Sequence, residues 1–121
     1  MKAGMAAGLA LAGAIATVGA IAADGNELLK WCKNASSDNT EVMESFTAGF
    51  CLGTMQTVGE LSPFINEGLD PAHKMCPPSA ITNGQAAKIT VKYLQQNPEK
   101  LHLNGTALTI MALQNAYPCK K

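Results

Sequence analysis

The sequence predicts an all-α protein: a small four-helix domain with a central apolar helix and two disulfides, behind a cleavable leader. Three observations carry this. Apolar residues recur at helical spacing behind helix-capping signals. No useful stretch alternates apolar and polar residues as a half-buried strand would. Four cysteines sit in a chain of 121 residues, the usage of a small exported domain.

The leader comes first. Met1-Lys2 supplies one positive charge, and Ala3 to Ala23 is uncharged and rich in Ala, Gly, Leu, Ile and Val. Ala20-Ile21-Ala22 places small residues where a signal peptidase reads them, and Asp24 follows at once. The run is also long enough for a membrane anchor, but its Ala/Gly content and Ala-x-Ala end favour cleavage. Residues 1–22 are therefore expected to be a signal peptide and 23–121 the helical domain, with no stable membrane insertion after cleavage.

Without Lys2 the domain holds eight Lys and no Arg against nine Asp and Glu, a formal charge of −1. Nucleic-acid binding needs a clustered basic face, which this composition does not offer. Cys32, Cys51, Cys76 and Cys119 all lie in the domain. Their spacing fits no zinc site, C-x-x-C redox pair or haem motif, so two disulfides are expected and three pairings are open.

The first helix opens at Asp24-Gly25-Asn26-Glu27, with capping-box spacing, and presents Leu28, Leu29 and Cys32 before ending near Lys33. Asp38-Asn39-Thr40-Glu41 repeats that spacing and opens the second, expected to stop near Leu61 because Ser62-Pro63 follows. No charge lies between Glu44 and Glu60. A helix apolar nearly all round is a buried one, so this helix is expected at the centre, with Phe46 and Phe50 inside. Gly49 and Gly53, four apart, are expected to admit a neighbouring helix closely. Phe64 to Pro78 reads as a loop with Gly68 and three prolines.

Thr82-x-x-Gln85 caps the third helix, whose stripe is Ala86, Ile89, Tyr93 and Leu94 and whose end is Asn97-Pro98. Asn104 caps the fourth, with Leu108, Met111, Ala112 and Asn115 at helical spacing up to Tyr117-Pro118-Cys119. A short connection makes these two helices antiparallel neighbours. Cys76 before one then meets Cys119 after the other, and Cys32–Cys51 follows by elimination.

Catalytic constellations are absent from the motifs. His73 and His102 belong to no H-E-x-x-H or triad-like pattern, and Ser62 and Ser79 lack a nucleophile-elbow context. Glu41 and Glu44 suit the first turn of a helix, where the dipole favours acids. The residues describe a non-catalytic exported binder, with no cofactor and no metal.

Several segments resemble one known family. They are Asn26-Glu27-Leu28-Leu29-Lys30-Trp31-Cys32; Gly49-Phe50-Cys51-Leu52-Gly53; Cys76-Pro77-Pro78; Thr82-Asn83-Gly84-Gln85; Val91 through His102 with its Y-L-x-x-x-P-E-x-L-H pattern; and Ala112 through Cys119, ending Y-P-C. In this order they resemble the Rap/Tai family of type VI secretion immunity proteins. The sequence departs from the common pattern at Thr54-Met55 and Glu60. The resemblance implies a periplasmic helical domain, often a homodimer, that neutralises a peptidoglycan amidase toxin by covering its active-site cleft. The other function class is a general periplasmic helper, such as a small acid-stress chaperone or an envelope-associated structural protein. An inhibitor of a cleft needs something that protrudes. The break from Ser62 to Pro78 supplies Phe64, Ile65 and Leu69 as apolar anchors and Glu67 and Asp70 as charged contacts.

Overall fold

The computed structural model describes residues 23–35 and 42–119. Four α-helices follow in order: α1 (Gly25–Ala35), α2 (Val42–Glu67), α3 (Asn83–Gln96) and α4 (Gly105–Ala116), with 3-10 turns at Pro71–His73 and Pro98–Lys100. The all-α class holds. Apart from these, the described residues contain two isolated β-bridges, Asp24 with Asn104 and Met75 with Pro118. The leader expected over 1–22 and the capping signal at Asp38–Glu41 lie outside the described residues.

Helix α1 starts where its cap was read. The Glu27 N–H donates to Asp24 Oδ1 at 3.0 Å, which satisfies one of the donors that a helix start leaves open. That same N–H holds the Asp24 carboxyl below the usual carboxylate range, with smaller help from Asn26. The helix runs to Ala35, two residues beyond the expected end at Lys33. Its first residue is pressed against the beginning of α4. Gly25 N–H donates to Leu103 O at 3.0 Å, and Gly105 N–H to Ala23 O at 2.8 Å. A Cβ on Gly25 would lie 2.5 Å from Leu108 Cδ1 and 2.9 Å from the Leu101 backbone. The close approach that glycine permits is made here. It is not made at Gly49 and Gly53, where an added Cβ meets nothing within 4 Å; the expectation of tight helix packing there is corrected.

Helix α2 passes through Pro63 and ends at Glu67, six residues past the predicted stop. Proline breaks a helix by removing an N–H and crowding the carbonyl four residues back. That carbonyl belongs to Gly59, and the Ser62 hydroxyl donates to it at 2.9 Å. Ser62 thus replaces the bond that Pro63 cannot make. The stretch from Phe64 to Glu67, expected as loop, is therefore the last turn of α2.

The other two helices follow the local code. Thr82 Oγ1 accepts from Gln85 N–H and Gln85 Oε1 from Thr82 N–H, a complete capping box on α3. Asn104 Oδ1 accepts from Ala107 N–H to cap α4. Asn97 closes α3, its side-chain amide donating to Tyr93 O at 2.8 Å.

The core draws on every helix: Leu28 and Cys32 from α1, Cys51, Met55 and Val58 from α2, Leu94 from α3, Leu108 and Leu113 from α4, with Met75 from the connection. Full burial of such a side chain is worth roughly 1.5–3 kcal/mol. Thr109 is buried with its hydroxyl donated to Gly105 O, and buried Thr90 faces Met55 Sδ at 3.4 Å. Both disulfides pair as argued, Cys32–Cys51 between α1 and α2 and Cys76–Cys119 across the ends of the α3–α4 hairpin. Closing loops of 19 and 43 residues in sequence separation contributes on the order of 3 and 4 kcal/mol in the loop-entropy picture. Among the described residues no helix is long and apolar enough to cross a membrane.

Candidate functional site

Helix α2 has two apolar faces, and the core takes one. At 3.6 residues per turn, Cys51, Met55, Val58 and Ile65 share the inner side. Phe46, Phe50, Gly53, Thr57, Leu61 and Phe64 fall on the other. Cys51, Met55 and Val58 are at most 2% exposed, whereas Phe46, Phe50, Leu61 and Phe64 are 46–69% exposed. The expectation that Phe46 and Phe50 lie inside a central helix is thus overturned. Gln56, Glu60 and Glu67 form a sparse polar strip on the side away from Cys51, and the Cys32–Cys51 bond holds the opposite side to the core.

The outward stripe has structure of its own. Phe50 stacks on Trp31 with ring centroids 5.3 Å apart, and Phe46 meets Phe50 edge-on at 5.1 Å. Beside them a depression of about 460 Å³ is lined by Trp31, Phe46, Phe50 and Thr106. Next along the helix, Gly49, Gly53, Thr54 and Thr57 line a shallower hollow of about 320 Å³. Thr54 and Thr57 turn their hydroxyls inward, onto Phe50 O and Gly53 O, both at 2.8 Å. Their methyl-bearing sides add to an uncharged surface. Large aromatics flank a strip without side chains, and exposed apolar patches of this kind mark interaction sites.

The residues expected at the binding surface gather at the far end of α2. Phe64 is 69% exposed, and Glu67 and Asp70 are exposed, while Ile65 and Leu69 are half-buried. Ile65 packs against the core cluster. The segment after the helix is fixed by Asn66, whose side chain donates to Met75 O at 2.8 Å and accepts from Met75 N–H at 3.0 Å. The carboxamide pairs with Met75 as a neighbouring strand would. His73 N–H donates to Asp70 O at 2.8 Å, and Gln114 Nε2 to His73 O at 2.6 Å. Phe64, Glu67 and Asp70 thus form an exposed corner, continuous with the outward stripe through Leu61.

Sequence reasoning missed the other end of the stripe, Trp31, Phe46 and Phe50. The signal was available: turning Cys51 toward α1 sends Phe50, Thr57, Leu61 and Phe64 to the opposite side. All four cysteines are disulfide-bonded, and the described residues contain no group of three His, Cys, Asp or Glu able to hold a metal ion.

Residues 24–119 match the Rap1a immunity proteins. The chain belongs to that family. The match begins at the Asp24 cap of α1 and ends at Cys119, so the whole described Rap1a domain, both disulfides and the α2 stripe lie within it. No curated protein and no solved structure matches the chain. Membership of an immunity family implies a toxin partner, and the open apolar stripe with its acidic corner is the candidate surface.

Proposed function

We propose that this chain is a periplasmic immunity protein that neutralises a peptidoglycan amidase delivered by type VI secretion from a neighbouring or sister cell. It acts by occlusion and performs no chemistry. The observation that carries this reading is the family match over residues 24–119. The N-terminal half of the outward stripe seats a second copy of the chain. A twofold interface must be self-complementary, and bulky Phe46 and Phe50 beside bare Gly49 and Gly53 let the aromatics of one copy fill the hollow of the other. The corner of Phe64, Ile65, Glu67, Leu69 and Asp70 meets the toxin, with the two carboxylates facing donors of a hydrolase cleft.

The test pairs the chain with an amidase encoded beside its gene and follows peptidoglycan hydrolysis. Stoichiometric inhibition through a stable complex is expected. Full hydrolysis in the presence of excess folded protein refutes the immunity reading. Charge reversal at Glu67 and Asp70 is expected to weaken inhibition with melting unchanged, since binding energy concentrates in a few residues; unaltered inhibition removes the corner from the surface. Sedimentation of Phe50→Glu against the parent tests the dimer, which the substitution is expected to dissociate.

A further inference from the structure

The Tyr93–His102 segment is prominent in the sequence and plays no part in the α2 surface. It helps to build a depression of about 490 Å³, lined among others by His73, Tyr93, Asn97, Lys100 and Gln114. No lining residue is an Asp or a Glu, although acids slightly outnumber lysines in the domain.

At its floor Tyr93 is 8% exposed. Its hydroxyl accepts from Lys100 Nζ at 3.1 Å, and the ammonium also stands 5.5 Å from the ring centroid. The phenolic hydrogen has no acceptor among the described residues, and Lys100 has no carboxylate partner there. A largely buried tyrosine normally finds a partner for its hydroxyl hydrogen. Two donors with unused hydrogens therefore converge, one of them cationic.

The carboxamides around them are anchored by their nitrogens. Asn97 Nδ2 donates to Tyr93 O and Gln114 Nε2 to His73 O, which leaves Asn97 Oδ1 and Gln114 Oε1 without a protein donor among the described residues.

We propose that this depression binds a carboxylate carried on an amide backbone. The carboxylate sits on Lys100 Nζ and the Tyr93 hydroxyl through charge-assisted bonds, and the ligand's amide N–H groups meet Asn97 Oδ1 and Gln114 Oε1. The carboxylate comes either from the end of a short peptide or from an acidic side chain. The site is independent of the α2 stripe and of the immunity reading.

The test titrates isotope-labelled protein with N-acetyl-alanyl-alanine, with its C-terminal amide, and with the α-amide of N-acetyl-glutamate, following backbone amide shifts by NMR. Saturable shifts at residues 93–100 and 111–115 are expected with both acids, and binding at least about tenfold weaker for the uncharged dipeptide amide. Tighter binding of the dipeptide acid assigns the site to a peptide end; tighter binding of the glutamate derivative assigns it to a protein side chain. Lys100→Met is expected to erase the preference for the acids. Tyr93→Phe, which keeps the ring in the core, is expected to weaken acid binding several-fold. Equal affinity for acid and amide, absence of saturable shifts at these residues, or an unchanged preference in folded Lys100→Met protein overturns the proposal.

Discussion

The two sides of helix α2 are made of similar material and have opposite surroundings. Inward, Cys51, Met55 and Val58 lose essentially all contact with water; outward, Phe46, Phe50, Leu61 and Phe64 keep about half or more of their exposure. Hydrophobicity alone does not distinguish them, since the outward side chains are the larger ones. The difference lies in what neighbours supply. Inward, α1 brings Cys32 for a covalent bond, α3 brings Thr90 and Leu94, and α4 brings Leu113. Outward, among the described residues, Trp31 stacks on Phe50 and Thr106 borders the two hollows. A helix apolar on both sides in so small a domain stabilises its own fold with one side and leaves the other exposed.

The largest effect expected from breaking this division comes from the covalent bond on the inner side. Replacing Cys32 and Cys51 together by Ala is expected to cost about 3 kcal/mol or more of unfolding free energy in denaturant titrations. A loss below about 1 kcal/mol would show that packing alone orients α2. Next come single side chains on the two sides. Met55→Ala is expected to cost about 2–5 kcal/mol, because it empties a filled core position. Phe64→Ala is expected to stay within about 0.5 kcal/mol, because it removes a side chain that touches mostly water. Similar losses at both positions would erase the contrast.

Glycines sharpen the comparison at a smaller scale. Gly25→Ala drives a methyl into Leu108 and the Leu101 backbone and is expected to cost about 1–3 kcal/mol. Gly53→Ala meets nothing within 4 Å and is expected to stabilise the folded chain by up to about 1 kcal/mol, the helix-propensity difference. If the hollow seats a second copy, the same substitution weakens the dimer, so melting and sedimentation move in opposite directions. The smallest effect is at the capped start of α1. The Asp24 carboxyl is held below its ordinary range by the Glu27 N–H, so the folded state binds its proton less readily than the unfolded chain. Its contribution is complete above the ordinary aspartate pKa of about 4 and is lost as pH falls through the lower folded value. Asp24→Asn, which keeps an oxygen for the cap, is expected to flatten that acid limb in melting measured against pH.

Features written into a few consecutive residues were legible in the sequence. The Thr82–Gln85 box, the Asn104 cap and the Asn97-Pro98 stop rest on side chains that bond their own neighbourhood. The disulfide pairing was legible because a short connection forces two helices into a hairpin. The end of α2 was not, although its cause is local: the Ser62 hydroxyl substitutes for the bond that Pro63 removes, and proline patterns do not anticipate that exchange. Nor was the side of α2 that faces the core, because its polar strip of Gln56, Glu60 and Glu67 is sparse and the wide apolar remainder is oriented by what packs on it. Gly25 and Gly105 went unnoticed for the same reason, since their crowding comes from residues far away in sequence. At the candidate surface, Phe64, Glu67 and Asp70 were found through their position at a break, while Trp31, Phe46 and Phe50 required the fold.

The placing of the two cross-links has a consequence for survival among proteases. Cys32–Cys51 and Cys76–Cys119 each close a covalent ring, the second holding all of α3 and α4. A single cut inside either ring opens it without releasing a fragment. Between the two rings, at residues 52–75, one cut leaves two large parts of the core joined by no covalent bond, as a cut before Cys32 also does for the start of α1. That interval contains the exposed Glu67 and Asp70 proposed to reach the toxin and, beside them, the Asn66 clamp on Met75. The stretch proposed to meet another protein is one that the cross-links cannot hold together once cut, and resistance to nicking there falls to non-covalent contacts, the Asn66 clamp and the Gln114–His73 bond among them.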